Sequence, residues 1–144
     1  MRIFGLVLAL VIVFLGVYTG GTHWIVDAPS AVIVLGLSTG MFMFSGSSPV
    51  TLIMSAFEVP NTPAKLEESI LAWKRMGQDI VSAGWVGFVI GSIHIGVNLD
   101  DLSVLGLGMA TALICVFYAL TLAYVVCRPI QRRLEDARAQ GGLR

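Results

Sequence analysis

The chain has 144 residues, 56% of them hydrophobic and 12% charged, and its nine basic and nine acidic side chains cancel. Soluble domains carry about 25% charged residues, so this composition and a mean hydropathy of +0.87 exclude an ordinary water-soluble domain. Zero net charge leaves no bulk electrostatic case for nucleic acid, and the length allows one small domain.

Four apolar runs follow in chain order. They are "IFGLVLALVIVFLGVYT" (3–19), "APSAVIVLGLSTGMFMFSG" (28–46), "IVSAGWVGFVIGSIHIGV" (80–97) and "LGLGMATALICVFYALTLAYVVC" (105–127). Each approaches the ~20 residues that a helix needs to cross a hydrocarbon core of about 30 Å. The expected fold is all-α, a polytopic membrane protein with four transmembrane helices. Arg2 before the first run imitates a signal peptide, but no small-x-small cleavage site follows, so the run is read as a helix. The expected organisation is 1–46 for the first two spans, 47–79 for a short loop, 80–128 for the last two spans and 129–144 for a tail.

Lys and Arg set the orientation. Arg2 precedes the first run, Lys65, Lys74 and Arg75 lie between the second and third, and Arg128, Arg132, Arg133, Arg138 and Arg144 follow the fourth. The connections after the first and third runs have none. This positive-inside alternation predicts cytoplasmic termini and a cytoplasmic middle loop in a multi-pass protein. The "NLDD" connection, residues 98–101, then caps a hairpin on the outer face, with Asn98 or Asp100 placed to cap the next helix.

In the middle loop, "NTPAKLEESILAWKRMG" reads as a short amphipathic helix with Thr62 as N-cap and Pro63 at its first position. Leu66, Ile70 and Trp73 fall on one side, to lie along the membrane or against a neighbouring subunit. The tail "RPIQRRLEDARAQGGLR" is expected to continue the fourth helix and fray at its glycines. Cys115 and Cys127, 12 residues apart on one helix, are separated by about 18 Å. That is too far for a bridge within the chain, and both read as small packing residues.

The third run carries Ala83, Gly87 and Gly91 at four-residue spacing with Gly84 beside them, and the fourth carries Gly108, Ala112, Cys115, Ala119 and Ala123 along one side. In lipid such faces allow helices to approach closely, either within one protomer or between subunits. No carboxylate lies within the four runs. His94 is the one ionisable side chain there apart from cysteine and tyrosine, either an interfacial histidine bonded to a carbonyl or water, or part of an ion path. Ser82, Ser92, Thr111 and Thr121 can bond to their own helix backbones. No catalytic triad, phosphate loop, metal constellation or cofactor motif is visible, so the chain is not expected to be an enzyme.

The order of these residues resembles the MotA branch of the MotA/TolQ/ExbB family. Asp27, Ser30 and Gly36 match the family's entry into its second helix. Gly77, Gly84, Gly87, Gly91, Asn98, Asp100 and Asp101 match its third helix and acidic loop. Gly106, Met109, Ala110, Ala112, Leu113, Tyr118, Pro129 and Ile130 match its fourth. The resemblance implies a bacterial inner-membrane subunit of flagellar stator-like machinery, forming a homopentameric ring around single-span helices of a MotB/ExbD-like partner whose Asp supplies the titrating carboxylate. It places His94, Thr111, Cys115, Val116 and Phe88 along an ion path, and Ala83, Gly84, Gly87, Gly91, Gly108, Ala112 and Ala119 in helix packing or an oligomer interface. The chain departs from the family at Val81 and Leu107, where prolines are expected, and at Val116 and Phe88, where hydroxyls are expected. The loss of those oxygens removes cation ligands, and the family's large cytoplasmic domain is reduced to about thirty residues. Two ring readings follow, one coupling ion flow to movement and one non-conducting and structural or regulatory. An unrelated tetraspan protein with convergent small-residue patterning is the third alternative.

Overall fold

The computed structural model describes residues 27–46, 48–97 and 99–141. The first apolar run and the expected cap Asn98 lie outside the described residues. The elements are α1 (Ala28–Phe44), α2 (Pro49–Phe57), α3 (Pro63–Val97), α4 (Leu102–Thr121), a π-helical stretch (Leu122–Cys127) and α5 (Arg128–Gly141). Among the described residues there is no strand. Two continuous helices, Pro63–Val97 and Val104–Gly141, are long and apolar enough to cross a membrane, and a third span results if α1 and α2 form one bent crossing.

Each helix begins where its residues supply a start. Asp27 accepts the Ser30 N–H at 3.0 Å and Pro29 follows in the first turn of α1, so one of the helix's orphan donors is satisfied. Pro63 opens α3, where its missing N–H costs nothing. The start of α4 differs from expectation. Its first residue is Leu102, so Asp101 rather than Asp100 stands just before it, and the Asp101 carbonyl accepts from Leu105 N–H at 3.1 Å. Asp100 belongs to the preceding turn.

The middle segment also differs. The amphipathic stretch is the first half of a 35-residue α3 that runs on through the third apolar run. Its boundary near residue 79 is one of polarity only, because after Pro63 no proline interrupts the hydrogen-bond ladder and Gly77 costs only about 1 kcal/mol in a helix interior. Leu66, Ile70 and Trp73 are buried within the chain, together with Leu52 of α2 and the fully enclosed Leu134 of α5. Trp73 Nε1 donates to Ser55 Oγ at 3.0 Å, which ties α3 to α2. Arg133 of α5 donates to the Ala56 carbonyl at 3.2 Å, occupying a backbone acceptor at the C-terminal end of α2. The polar end of the molecule is thus a small packed bundle of α2, α5 and the first half of α3.

Along the apolar half, α3 and α4 run antiparallel and α1 lies against both. α1 turns Ser30, Val34, Ser38 and Phe42 inward at four-residue spacing, one stripe of a helix surface. Cys115 and Cys127 are free and buried.

Candidate functional site

The closest approach in the molecule is made by the small residues of α3 and α4. A Cβ added at Gly84 would overlap Ala119. One at Gly87 would lie 2.7 Å from Cys115 Sγ, one at Gly91 would lie 2.7 Å from Ala112 Cβ, and one at Gly108 would lie 2.8 Å from Ile95 Cγ1. The partners descend one helix as the glycines climb the other, the register of an antiparallel hairpin. Ala83, Gly84, Gly87 and Gly91 are buried on α3, and Ala112, Cys115 and Ala119 are buried opposite them. All seven residues assigned to helix packing from the sequence therefore lie on α3 or α4, and the glycine contacts among them are made within one chain.

The residues placed on an ion path are dispersed differently. Cys115 is fully enclosed in the α3–α4 contact. Thr111, Val116 and Phe88 are partly buried, and His94 is exposed near the end of α3. Phe88 meets Trp85 edge to face, with ring centroids 5.8 Å apart, and its carbonyl accepts from the Ser92 hydroxyl at 2.8 Å. That self-satisfied hydroxyl matches the expectation for Ser92.

The structure brings together in one polar node Asp27, Ser30 and Tyr118, named from the sequence as family matches, and Thr111, placed there on the ion path. The Asp27 N–H donates to Tyr118 Oη at 3.3 Å, and the Ser30 hydroxyl donates to the Asp27 carboxylate. Ser30 Oγ also lies 3.5 Å from the Thr111 carbonyl oxygen, and Ser30 is fully buried. Thr111 is nine residues beyond Leu102, about 13 Å along α4 at 1.5 Å per residue. Asp27 therefore stands beside the first half of the fourth apolar run, although in sequence it precedes the second. A carboxylate, two hydroxyls and a main-chain carbonyl are the oxygen types with which membrane proteins handle protons and dehydrated cations. The signal was present in "DAPS", a helix-start pattern with a carboxylate at the cap. What the pattern lacked was depth, which depends on how α1 is staggered against α4. A second carboxylate, Asp79, stands one residue before the third run, with Oδ2 enclosed and unbonded among the described residues. Among those residues no group of three or more His, Cys, Asp or Glu gathers as a metal site.

No family model matches the chain. Over 74 residues, 51% of its length, the chain is 34% identical to Motility protein A of Aquifex aeolicus (strain VF5), and it spans only 29% of that relative. The similarity supports a MotA-like relationship for a protein whose long apolar helices are built to cross a membrane.

Proposed function

We propose that the chain is a MotA-like subunit of flagellar stator-like machinery in the bacterial inner membrane, in which a ring of copies couples an ion-motive force to movement of a partner. In this reading it crosses four times with both termini cytoplasmic, is not an enzyme, and needs no cofactor. Copies close into a homopentamer around single-span MotB/ExbD-like helices, whose Asp supplies the titrating acid. The short segment 47–79 takes the place of the family's larger cytoplasmic domain.

The observation that carries the reading is the α3–α4 hairpin. Its glycines at 84, 87 and 91 are the residues through which the chain resembles the family, and each meets a small residue across the contact. The similarity to Motility protein A over 51% of the chain supports the same reading. The test is proton or sodium uptake into liposomes holding the chain with a single-span partner that bears one Asp. Uptake that disappears when that Asp becomes Asn is the expected result; uptake that persists removes the partner from the mechanism.

One feature favours a non-conducting ring of the same architecture. Cys115 is withdrawn into the hairpin contact, while Val116 and Phe88 offer no side-chain oxygen to replace a cation's hydration shell. Complete absence of uptake, with five-fold rings visible in electron micrographs, selects that structural or regulatory role.

A further inference from the structure

At the polar end of the bundle, a cleft of about 660 Å³ opens between α3 and the junction of the π-helical stretch with α5. Its lining changes character in the same direction on both walls. On α3 it passes from Lys74 through Gln78 to Val81, and opposite from Gln131 through Arg128 to Tyr124. Because the two helices run antiparallel, Lys74 and Gln131 share one end of the cleft beside Trp73, Val81 and Tyr124 share the other beside Ser82, and Arg128 lies between. The Arg128 guanidinium lies over the Tyr124 ring, 4.6 Å from its centroid, held on an aromatic face. Among the described residues no carboxylate lines the cleft. It presents two cations, Lys74 and Arg128, where the polar part of α3 gives way to the third apolar run, and Gln131 at its edge donates to the exposed Glu135 carboxylate at 2.8 Å.

We infer that this cleft holds an anionic phospholipid, its phosphate between Lys74 and Arg128 and the start of an acyl chain along Val81 and Tyr124. Basic pockets between membrane helices on the cytoplasmic side suit anionic headgroups. An arginine fork supplies directed hydrogen bonds to phosphate where lysine supplies a point charge. The gradient from polar to apolar matches a lipid and not a free anion, and the volume is that of a small-molecule site.

The test uses the whole chain in a neutral detergent, titrated with phosphatidylglycerol or with phosphatidylcholine of the same acyl chains, with retained lipid and thermal midpoint as readouts. Phosphatidylglycerol is expected to be retained and to raise the midpoint, and phosphatidylcholine to do neither. Lys74→Gln with Arg128→Gln should weaken retention about thirtyfold, on the scale of two basic residues at an anionic surface. Lys65→Gln with Arg132→Gln removes the same charge outside the cleft and should leave retention within about twofold. Lys74→Arg with Arg128→Lys keeps both charges and should retain the lipid. Equal loss in the two glutamine pairs, equal retention of both lipids, or displacement by inorganic phosphate at matching concentration overturns the proposal. A change of oligomeric state in the Lys74/Arg128 pair without lipid assigns the cleft to a second copy, which also overturns it. If that pair fails to fold, Gln78→Glu decides: a carboxylate in the cleft should expel the lipid, and undiminished retention refutes the assignment. None of these readouts depends on ion flow or on a partner helix, so they stand or fall separately from the stator-like reading.

Discussion

At the scale of single residues, the described glycines of the packing face and those of α1 differ in the room they leave for a side chain. Gly84, Gly87 and Gly91 have no room for a Cβ, whereas one added at Gly36 or Gly40 meets nothing within 4 Å. Gly87→Ala should therefore push α3 from α4 and destabilise the hairpin by about 1–3 kcal/mol, the usual cost of overpacking. Gly40→Ala should be neutral or stabilise α1 by up to about 1 kcal/mol through helix propensity. Thermal denaturation of both variants in detergent checks the pair, and equal effects would deny the hairpin contact. Asp27 allows a second separation. Asp27→Asn keeps a good N-cap, while Asp27→Ala should cost about 1 kcal/mol of helix stability. If the carboxylate also handles ions, Asn should preserve the thermal midpoint and abolish uptake. If it only caps α1, Asn should preserve both.

At the scale of elements, the apolar runs and the small-residue faces were legible because both are local patterns with helical period. The continuity of α3 was less so. A change from amphipathic to wholly apolar composition looks like a boundary between elements, yet the backbone needs only an unbroken ladder of donors. The cost of ending a helix there would be orphaned N–H and C=O groups at the membrane edge. Docking of α2 was invisible for a different reason: it depends on Trp73 meeting Ser55 across 18 residues, and no local period encodes that. Trp73→Phe should keep most of the buried surface and lose the indole bond, for about 1 kcal/mol. Trp73→Ala should cost about 3–5 kcal/mol. By contrast Arg138→Ala should change stability by less than about 1 kcal/mol, since its 3.4 Å pair with Glu67 is more than 60% exposed on both sides. Chemical denaturation ranks the three; a large Arg138 effect would mean that this surface is covered in the assembled protein.

At the scale of the whole molecule, the hairpin uses up the small-residue face that would otherwise be the first choice for contact between copies. Any ring must then be closed by surfaces that remain open. Val32 and Leu35 on α1, Trp85, Val89 and Ile93 on α3, and Leu113 and Phe117 on α4 are exposed, an apolar exterior far too extensive for water. In a bilayer such residues face lipid or a neighbouring copy. This also changes what a disruptive glycine variant can say: Gly87→Leu breaks the protomer first, so loss of the oligomer would not locate the interface. Pairs of cysteines at exposed positions do locate it. With Cys115 and Cys127 enclosed, oxidation in native membranes of chains carrying two of Val32→Cys, Ile93→Cys and Leu113→Cys reports contacts between copies, because thiols bridge only when their Cα atoms lie within about 7 Å. In a closed ring the interface is heterologous, so a residue on one face meets a different residue of the next copy. Two cysteines that face each other across it should give a ladder that extends to five and stops, whereas a strong dimer from one position alone would point to a two-fold contact. A ladder that continues past five would mean a different closure, and only monomer from every pair would mean that no interface between copies brings these faces together.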